Sequence, residues 1–400
     1  MKLRRWVALF AIVFTARTVV HGEVFRFKYF EGERYRVRSV VDEEVFINDR
    51  FSHRADILNT IAVEIKEVAD GSGFIEALFQ TSERSYGSHQ VYEWGNDYRS
   101  LFWRDGFGKY DIGRSYFMPV VRDVPLFPDR EIQIGESWSL PGEEVHDLRT
   151  NFGIADAYHF PINVSYRYLG KYPLDGREFD LITIDYTVFF KPNISPDAQY
   201  YPVRIAGFSA QKLYWDNEYG RPYSYHESFD FIFDLSTGDT VEYIGSAEAR
   251  IIESEIMDKE KLADEIRSQL EEKDVDDAVV SVSEQGVTVT LENIQFLPDS
   301  FYLQPSENEK LEIIGEILTE HKSRDILIAG HAALAGTAEG RQRLSEERAR
   351  AVGNFLLTLG AIEEDQIIIR GMAAREPIAS NETEAGKRRN RRVEIIILEN

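Results

Sequence analysis

The sequence predicts a multidomain protein in which an N-terminal all-β region is followed by a C-terminal α/β sandwich. The chain has 400 residues, which is too long for one ordinary hydrophobic core and suits two or three domains. Its 20 Tyr and 25 Phe favour β structure, and apolar residues alternate with polar ones in many stretches before residue 252. From residue 253 onward helical spacing alternates with short strands. We expect the β region, residues 23–252, to be a sandwich or an open barrel, built as one unit or as two subdomains.

Residues 1–22 have the pattern of a secretory signal peptide. One lysine and two arginines precede a short apolar run over 6–14, and Gly22 ends a small-residue cleavage site. A membrane anchor is the alternative, but the run is short for a spanning helix and Arg17 follows it closely. The chain has no Cys, so disulfides and lipid attachment at a cysteine are excluded. An exported protein without cysteine fits a bacterial periplasm.

The formal net charge of −23 argues against nucleic acid as a partner, since phosphates and an acidic protein repel each other. The basic run over 387–392, KRRNRR, stands out against this background. It lacks interleaved aromatic residues that could stack on bases. We interpret it as a solvated loop beside a binding pocket, with attraction to an anionic wall polymer or phospholipid as the alternative.

Period-2 patterns predict the strands of the β region. Aromatic residues alternate with mostly polar ones from Tyr223 to Phe233, and Ser236–Asp239 supplies the following turn. A second alternating face runs from Ile182 to Phe190. The sequence Asp70-Gly71-Ser72-Gly73 separates two apolar stretches as a hairpin turn does. The prolines at 128 and 141 mark a place where the region could divide into subdomains.

An outer-membrane β-barrel is an alternative interpretation of these strands. Such strands need roughly nine to eleven residues with an uncharged row facing lipid. The segments 24–29 and 179–190 satisfy this, whereas 51–58 and 92–103 carry charges on both faces. The sequence therefore favours a soluble β region.

The rest of the chain predicts an α/β domain. Residues 253–278 form an amphipathic helix or linker, with Leu262, Ile266 and Leu270 at helical spacing. Within 279–400, apolar runs of strand length alternate with two helices over 311–318 and 344–359. The predicted strands cover 279–282, 287–291, 326–329, 366–370 and 392–398. Strands joined by crossover helices are typical of a compact α/β sandwich.

Short motifs within this part of the chain match a known family in order and spacing. They are Asn293-Ile294-Gln295-Phe296, Gly330-His331, Leu344-Ser345-x-x-Arg348, Pro377-Ile378-Ala379 and Asn390-Arg391-Arg392-Val393-Glu394. Together they resemble the OmpA-like peptidoglycan-associating domain found in OmpA C-termini, Pal lipoproteins and MotB. The resemblance covers about the last third of the chain and implies non-covalent binding of the peptidoglycan stem peptide.

The resemblance also implies where the ligand pocket lies. In the family a loop Asp accepts hydrogen bonds from an ammonium group, and a helix Arg pairs with the neighbouring carboxylate. Arg348 occupies the Arg position, but Ala333 replaces the Asp, Arg341 replaces a helix Asn, and Leu297 replaces a second Asp. Losing a charge-assisted contact costs about 1.5–3 kcal/mol. We therefore expect stem-peptide binding to be weakened, unless Asp299 or Glu339 replaces the missing acid.

Three further positions complete the candidate pocket. Asn390 and Arg391 lie where the family motif borders the ligand, and alternation into the last strand makes Arg392 a candidate for a fold-supporting ion pair. His331 follows a strand end and is either a pocket residue or, as a lone His more often is, a structural hydrogen-bonding group.

The sequence contains no recognisable catalytic, metal or cofactor motif. The eight His residues lack paired metal-ligand spacing. Gly106-Phe107-Gly108 is followed by a Lys, but not with the glycine spacing that a phosphate loop requires. We expect a non-catalytic protein in the periplasm or on the periplasmic face of the outer membrane. Its partners are then the stem peptide or another cell-wall component, and an envelope protein bound by the β region. The alternatives are an outer-membrane β-barrel with a periplasmic tail and a wall-modifying enzyme.

Overall fold

The computed structural model describes residues 22–85, 91–149, 153–192, 200–252, 257–275, 277–283, 285–292, 294, 296, 301–321 and 324–399. The predicted signal peptide thus lies almost wholly outside the described residues, and the domain boundaries stay predictions. In the part of the chain that is described, no helix is both long and apolar enough to cross a membrane.

The N-terminal region forms a continuous antiparallel sheet of twelve strands. Their spatial order is β5-β4-β3-β2-β1-β12-β11-β10-β9-β8-β7-β6, and the pairing of β1 with β12 joins the two halves. The strands are β1 (Arg34–Ile47), β2 (Arg50–Ala69), β3 (Ser72–Ser85), β4 (Tyr92–Arg104), β5 (Tyr110–Ile112), β6 (Val121–Arg122), β7 (Ser137–His146), β8 (Tyr158–Leu174), β9 (Arg177–Phe190), β10 (Pro202–Asp216), β11 (Arg221–Leu235) and β12 (Thr240–Ile252).

This sheet curves around an apolar interior without closing. The end strands β5 and β6 are not paired with each other in the described residues, so the sheet has the order of an open barrel. The predicted strand from Tyr223 to Phe233 lies within β11. The predicted hairpin turn joins β2 to β3, with Asp70 and Gly71 at φ 50° and 76°. The sheet also runs on past the proline at 141, which lies inside β7.

The N-terminal segment 22–33 runs through this interior. The Phe27 amide donates to the carbonyl of Gly106, and the Lys28 amide donates to that of Gly220. The side chains of Phe25 and Phe27 are buried among aromatic residues of the sheet and its loops. One apolar cluster joins these residues to Phe127, Trp138, Phe160, Tyr166, Ile182 and Trp215. A smaller cluster under β2–β4 contains Ile65, Ile75, Ala77, Phe79 and Phe102.

The C-terminal region is the α/β sandwich that the sequence predicts. Its sheet has the order β13-β14-β17-β15-β16, and only β15 and β16 run parallel. The elements are α1 (Lys259–Glu272), β13 (Ala278–Val282), β14 (Gly286–Glu292), α2 (Asn308–Thr319), β15 (Ile326–Gly330), α3 (Ala338–Thr358), β16 (Ile367–Gly371), α4 (Glu384–Asn390) and β17 (Arg392–Leu398). The core between helices and sheet contains Leu262, Ile266, Ile314, Ile328, Val352, Leu356 and Ile395.

The two regions share an interface that the sequence does not predict. Strand β16 pairs in parallel with β4, with Ile368 opposite Tyr92 and Ile369 opposite Glu93. The sheet face that carries no helix packs on the β region in a cluster of Leu58, Tyr92, Leu327, Ala329, Ile368, Ile396 and Leu398. The C-terminal domain is therefore docked on the β region and is not joined to it by the chain connection alone.

Candidate functional site

The candidate site is built where β15 meets the helix α3. A Cβ atom on Gly330 would lie 2.0 Å from the Ser345 carbonyl oxygen, so only glycine allows this close approach of strand and helix. Ser345 is fully buried. Its hydroxyl donates to the Gln342 carbonyl (2.8 Å) and accepts from the Ala373 amide (3.0 Å). The Gly and Ser of the motif thus fix the backbone of the site and are not free to contact a ligand.

His331 begins the loop that follows β15, and it lies in a buried ionic cluster. Its amide donates to the Arg392 carbonyl (2.9 Å), and its Nε2 lies 3.2 Å from Glu394 Oε2. The Nε of Arg392 donates to the other oxygen of Glu394 (2.7 Å). Burial alone would raise the pKa of Glu394, but His331 and Arg392 outweigh it and hold that pKa below its usual range. The cluster anchors the loop to β17.

Asn390 is buried at the end of α4, and its side chain holds the neighbouring loop 378–381. Its Oδ1 accepts from the amides of Ile378 and Ala379, each at 2.9 Å. Its Nδ2 donates to the Ala379 carbonyl (2.8 Å) and to Asn381 Oδ1 (3.0 Å). Asn381 Oδ1 also accepts from the Leu334 amide (3.0 Å), which ties the two loops together. With its side-chain hydrogen bonds already made, Asn390 shapes the site from behind.

Arg348 packs against an aromatic ring. It lies half-buried on α3, with its guanidinium carbon 4.8 Å from the centre of the Phe296 ring. A guanidinium stacked over an aromatic face is held in a fixed plane. The sequence predicted roles for both Arg348 and Phe296 but not this contact between them.

The other predicted residues surround this position less directly. Arg341 turns back to donate from Nη1 to the Gly336 carbonyl (2.7 Å), at the start of α3. Arg391 is half-buried just after α4, and its amide caps that helix. Their assignment to the same site as Arg348 rests on their place in the fold.

The loop between His331 and Gly336 carries no acidic side chain. Ala333, at the position of the family Asp, is buried, and Leu334 beside it is exposed. Glu339 lies exposed in the first turn of α3. Leu297 and Asp299 lie outside the described residues. Of the two acids considered as replacements, only Glu339 therefore has a described position.

The basic run over 387–392 is not the loop that the sequence suggested, because it lies in α4 and at the start of β17. It gives this end of the domain a basic surface. Lys387 pairs with Glu384 (2.7 Å), and Arg389 forms two bonds to Glu292 (2.9 and 3.1 Å). Salt bridges at this exposure contribute little to stability. Across the described parts of the chain, no group of three His, Asp or Glu side chains could hold a metal ion.

Comparison with known proteins identifies the domain that carries this site. Residues 295–391 match the model of the OmpA family. The probable lipoprotein YiaD of Escherichia coli is 33% identical over 121 residues, which are 30% of this chain and 55% of the lipoprotein. The peptidoglycan-binding protein ArfA of Mycobacterium tuberculosis is 33% identical over 104 residues, which are 26% of this chain and 32% of ArfA.

A solved structure of an outer membrane protein from Borrelia burgdorferi is 35% identical, covers 30% of this chain and 96% of that one, and has a TM-score of 0.26. The chain spans about half of the length of YiaD and about a third of that of ArfA. The predicted OmpA-like character of the C-terminal third is confirmed by the family match.

Proposed function

Starting from the OmpA-family domain at residues 295–391, we propose that the protein is a non-catalytic cell-envelope component whose C-terminal domain contacts peptidoglycan. The relatives include an outer membrane protein A and a peptidoglycan-binding protein, which supports this location and this partner. The predicted export signal agrees with it. In this proposal the β region faces the periplasm and holds a second envelope component.

The observation that carries the proposal is Arg348 on α3, held beside Phe296. A planar guanidinium suits two parallel hydrogen bonds to a carboxylate, and the peptide stem of peptidoglycan ends in such groups. The loop around Ala333 offers no carboxylate to an ammonium group of the same stem. Recognition then rests on the anionic part of the ligand. We expect an affinity about ten- to a hundred-fold below that of a site with both charges.

The mature chain, residues 23–400, tests this by co-sedimentation with purified sacculi and by calorimetric titration with stem peptide. We expect Arg348→Ala to lower binding at least tenfold because the carboxylate loses its only proposed charged partner. Arg343→Ala is the matched control, since Arg343 is exposed on the same helix, and it should change binding less than twofold. Ala333→Asp should raise affinity about tenfold.

Thermal unfolding of each variant separates loss of fold from loss of contact. Equal retention of the wild type and Arg348→Ala on sacculi would contradict the proposed role of Arg348. Submicromolar binding of the unmodified chain, unchanged by Ala333→Asp, would contradict the weakening that we attribute to the loop.

A further inference from the structure

A cavity of about 370 Å³ lies inside the curved sheet of the β region, far from the OmpA-family motifs in sequence. Residues of β1–β4 line one side, residues of β9–β12 line the other, and the segment 118–125 contributes as well. The cavity is partly enclosed. This volume falls in the range of pockets that bind small molecules, which are about 300–1,000 Å³ and mainly apolar.

The strand register separates the cavity wall into an apolar part and a polar band. Val37 lies opposite Ile61 on one side and Ile251 on the other, and Ile61 lies opposite Phe79. One step further, Ala77 lies opposite Val63. All of these residues line the cavity. The side chains of these rows offer no hydrogen-bonding atom, so this part of the wall suits hydrocarbon.

The neighbouring row of the same sheet is polar. Ser39 lies opposite Asn59, and Asn59 lies opposite Thr81, whose hydroxyl donates to Asn59 Oδ1 (2.9 Å). Tyr225 lies in the same row, because Ser39 and Tyr225 both pair with Ala249 of β12. The four polar residues all line the cavity. An apolar wall bordered by a band of hydroxyl and amide groups matches a ligand that is apolar along its body and polar at one end.

Glu227 determines which polar end this band accepts. It lies two residues beyond Tyr225 on β11 and accepts from Ser209 Oγ (2.6 Å) and Gln211 Nε2 (3.3 Å). A second carboxylate beside it would face a like charge in a partly desolvated place. The band therefore favours an uncharged hydrogen-bonding group over an anionic one.

Two arginines line the cavity: Arg250 is exposed, and Arg104 already has partners. Arg104 donates from Nε to the Gly108 carbonyl (3.1 Å) and from Nη2 to the Val124 carbonyl (3.4 Å). Its guanidinium carbon lies 3.7 Å from the Phe27 ring centre and 4.5 Å from that of Tyr110. These contacts fix Arg104 as part of the wall.

We propose that the β region binds a single acyl chain with an uncharged, hydrogen-bonding end group, its chain along Val37, Ile61 and Phe79 and its end group at Ser39, Asn59 and Glu227. The volume corresponds to about a dozen water-sized groups at ~30 Å³ each, and therefore to a chain of about twelve carbons. This inference is independent of the proposed contact with peptidoglycan, because it involves a different region and a different ligand chemistry.

Two ligands of equal chain length test the proposal on the mature chain. Monododecanoylglycerol has an uncharged end and dodecanoate an anionic one, and glycerol serves as the control without a chain. We expect isothermal titration to show one site for monododecanoylglycerol, affinity for dodecanoate at least tenfold lower at pH 7.5, and no binding of glycerol. Glu227→Gln should reduce that preference to less than threefold, because it removes the like charge at nearly constant shape.

Filling the cavity should abolish binding. Ala77→Phe and, separately, Val37→Phe should each lower affinity for monododecanoylglycerol at least tenfold. Leu78→Phe is the matched control, because Leu78 is the next residue on β3, is 44% exposed and does not line the cavity. Thermal unfolding shows which variants remain folded. Absence of binding by the wild type, or unchanged binding in a folded cavity-filling variant, would overturn the proposal. A preference for dodecanoate would overturn the assignment of the end group.

Discussion

At the scale of single residues, the carboxyl group of Glu43 on β1 has a pKa shifted close to neutrality. Burial, together with the nearby carboxylate of Glu83, raises its pKa to about 7. In the unfolded chain the same group titrates near its ordinary value of 4.5. The folded state therefore binds more protons than the unfolded state between these two values.

The free energy of unfolding should consequently fall as pH rises from about 4.5 to 7, since a group with a raised pKa contributes stability that is lost through its folded pKa. We expect this contribution to be about 1–2 kcal/mol, because Glu43 is partly exposed and solvent screens it. Urea unfolding at pH 5 and pH 7.5 measures it. Glu43→Gln should remove that part of the pH dependence, whereas the exposed neighbour Glu44→Gln should leave it unchanged.

Motif positions in a sequence do not reveal which way a side chain faces. His331 and Asn390 both stand at family positions, yet His331 joins a buried cluster with Glu394 and Asn390 uses its amide to hold the loop 378–381. Arg348 stands at an equivalent kind of position and lies half-buried beside Phe296. Sequence spacing could place all three near one site, but only the folded hydrogen-bond partners distinguish the supporting residues from Arg348, the proposed recognition group.

At the scale of secondary-structure elements, a buried cluster of charged side chains joins β1 to the start of β15. Asp325 immediately precedes β15 and is fully buried between two arginines of β1. Its Oδ2 lies 3.1 Å from Arg36 Nη1, and its Oδ1 accepts from Arg38 Nη2. Arg38 also reaches Asp365 at 3.3 Å. A buried charge cluster is tolerated only when each charge keeps its partner.

Removing the central acid should therefore be costly. Asp325→Ala leaves two buried guanidinium groups without their shared carboxylate, and we expect a loss of about 3–5 kcal/mol in the free energy of unfolding. Asp365→Ala is the matched control, since its side chain is 38% exposed and its pair lies at the edge of the cluster. It should cost less than about 1 kcal/mol. Equal effects of the two substitutions in urea unfolding would show that the buried cluster is not what joins these elements.

The sequence could predict most elements but not this junction. Alternation specified strands such as β11, and helical spacing specified α1 and α3, because both patterns are local. Arg36 and Asp325 are 289 residues apart, and in isolation each resembles an ordinary surface charge. The same holds for the cavity, whose polar band forms only when the register of β1, β2 and β3 aligns Ser39, Asn59 and Thr81.

In the whole molecule, the C-terminal domain packs against the β region. The helix-free sheet face buries Leu327, Ile368 and Ile396 against the β region, where they would otherwise be exposed. Separate expression of residues 257–400 should expose this face, and an exposed apolar surface of this kind favours association.

We expect fragments 22–252 and 257–400 to bind each other when mixed, since the cluster and the Asp325 pairs form between them. Analytical ultracentrifugation and titration calorimetry measure the affinity. Asp325→Ala in the second fragment should weaken association at least tenfold. Glu316→Ala, which removes an exposed acid on α2, on the helix-covered side of the sheet, should not. Absence of binding between two soluble, folded fragments would show that the docked arrangement is not a property of the folded chain.

The pairing of β16 with β4 has a mechanical consequence for a protein held at one end. Strand β16 belongs to the domain proposed to contact the wall. It pairs in parallel with β4, and the hydrogen bonds lie between the two strands. A force directed along these strands acts on the interface in shear. The hydrogen bonds, the apolar cluster and the Asp325 pairs then bear the force at the same time, whereas a peeling force would break them one after another. Tension applied at the C-terminal domain is therefore carried across the interface into the twelve-stranded sheet, and the cavity wall formed by β1–β4 lies directly in its path.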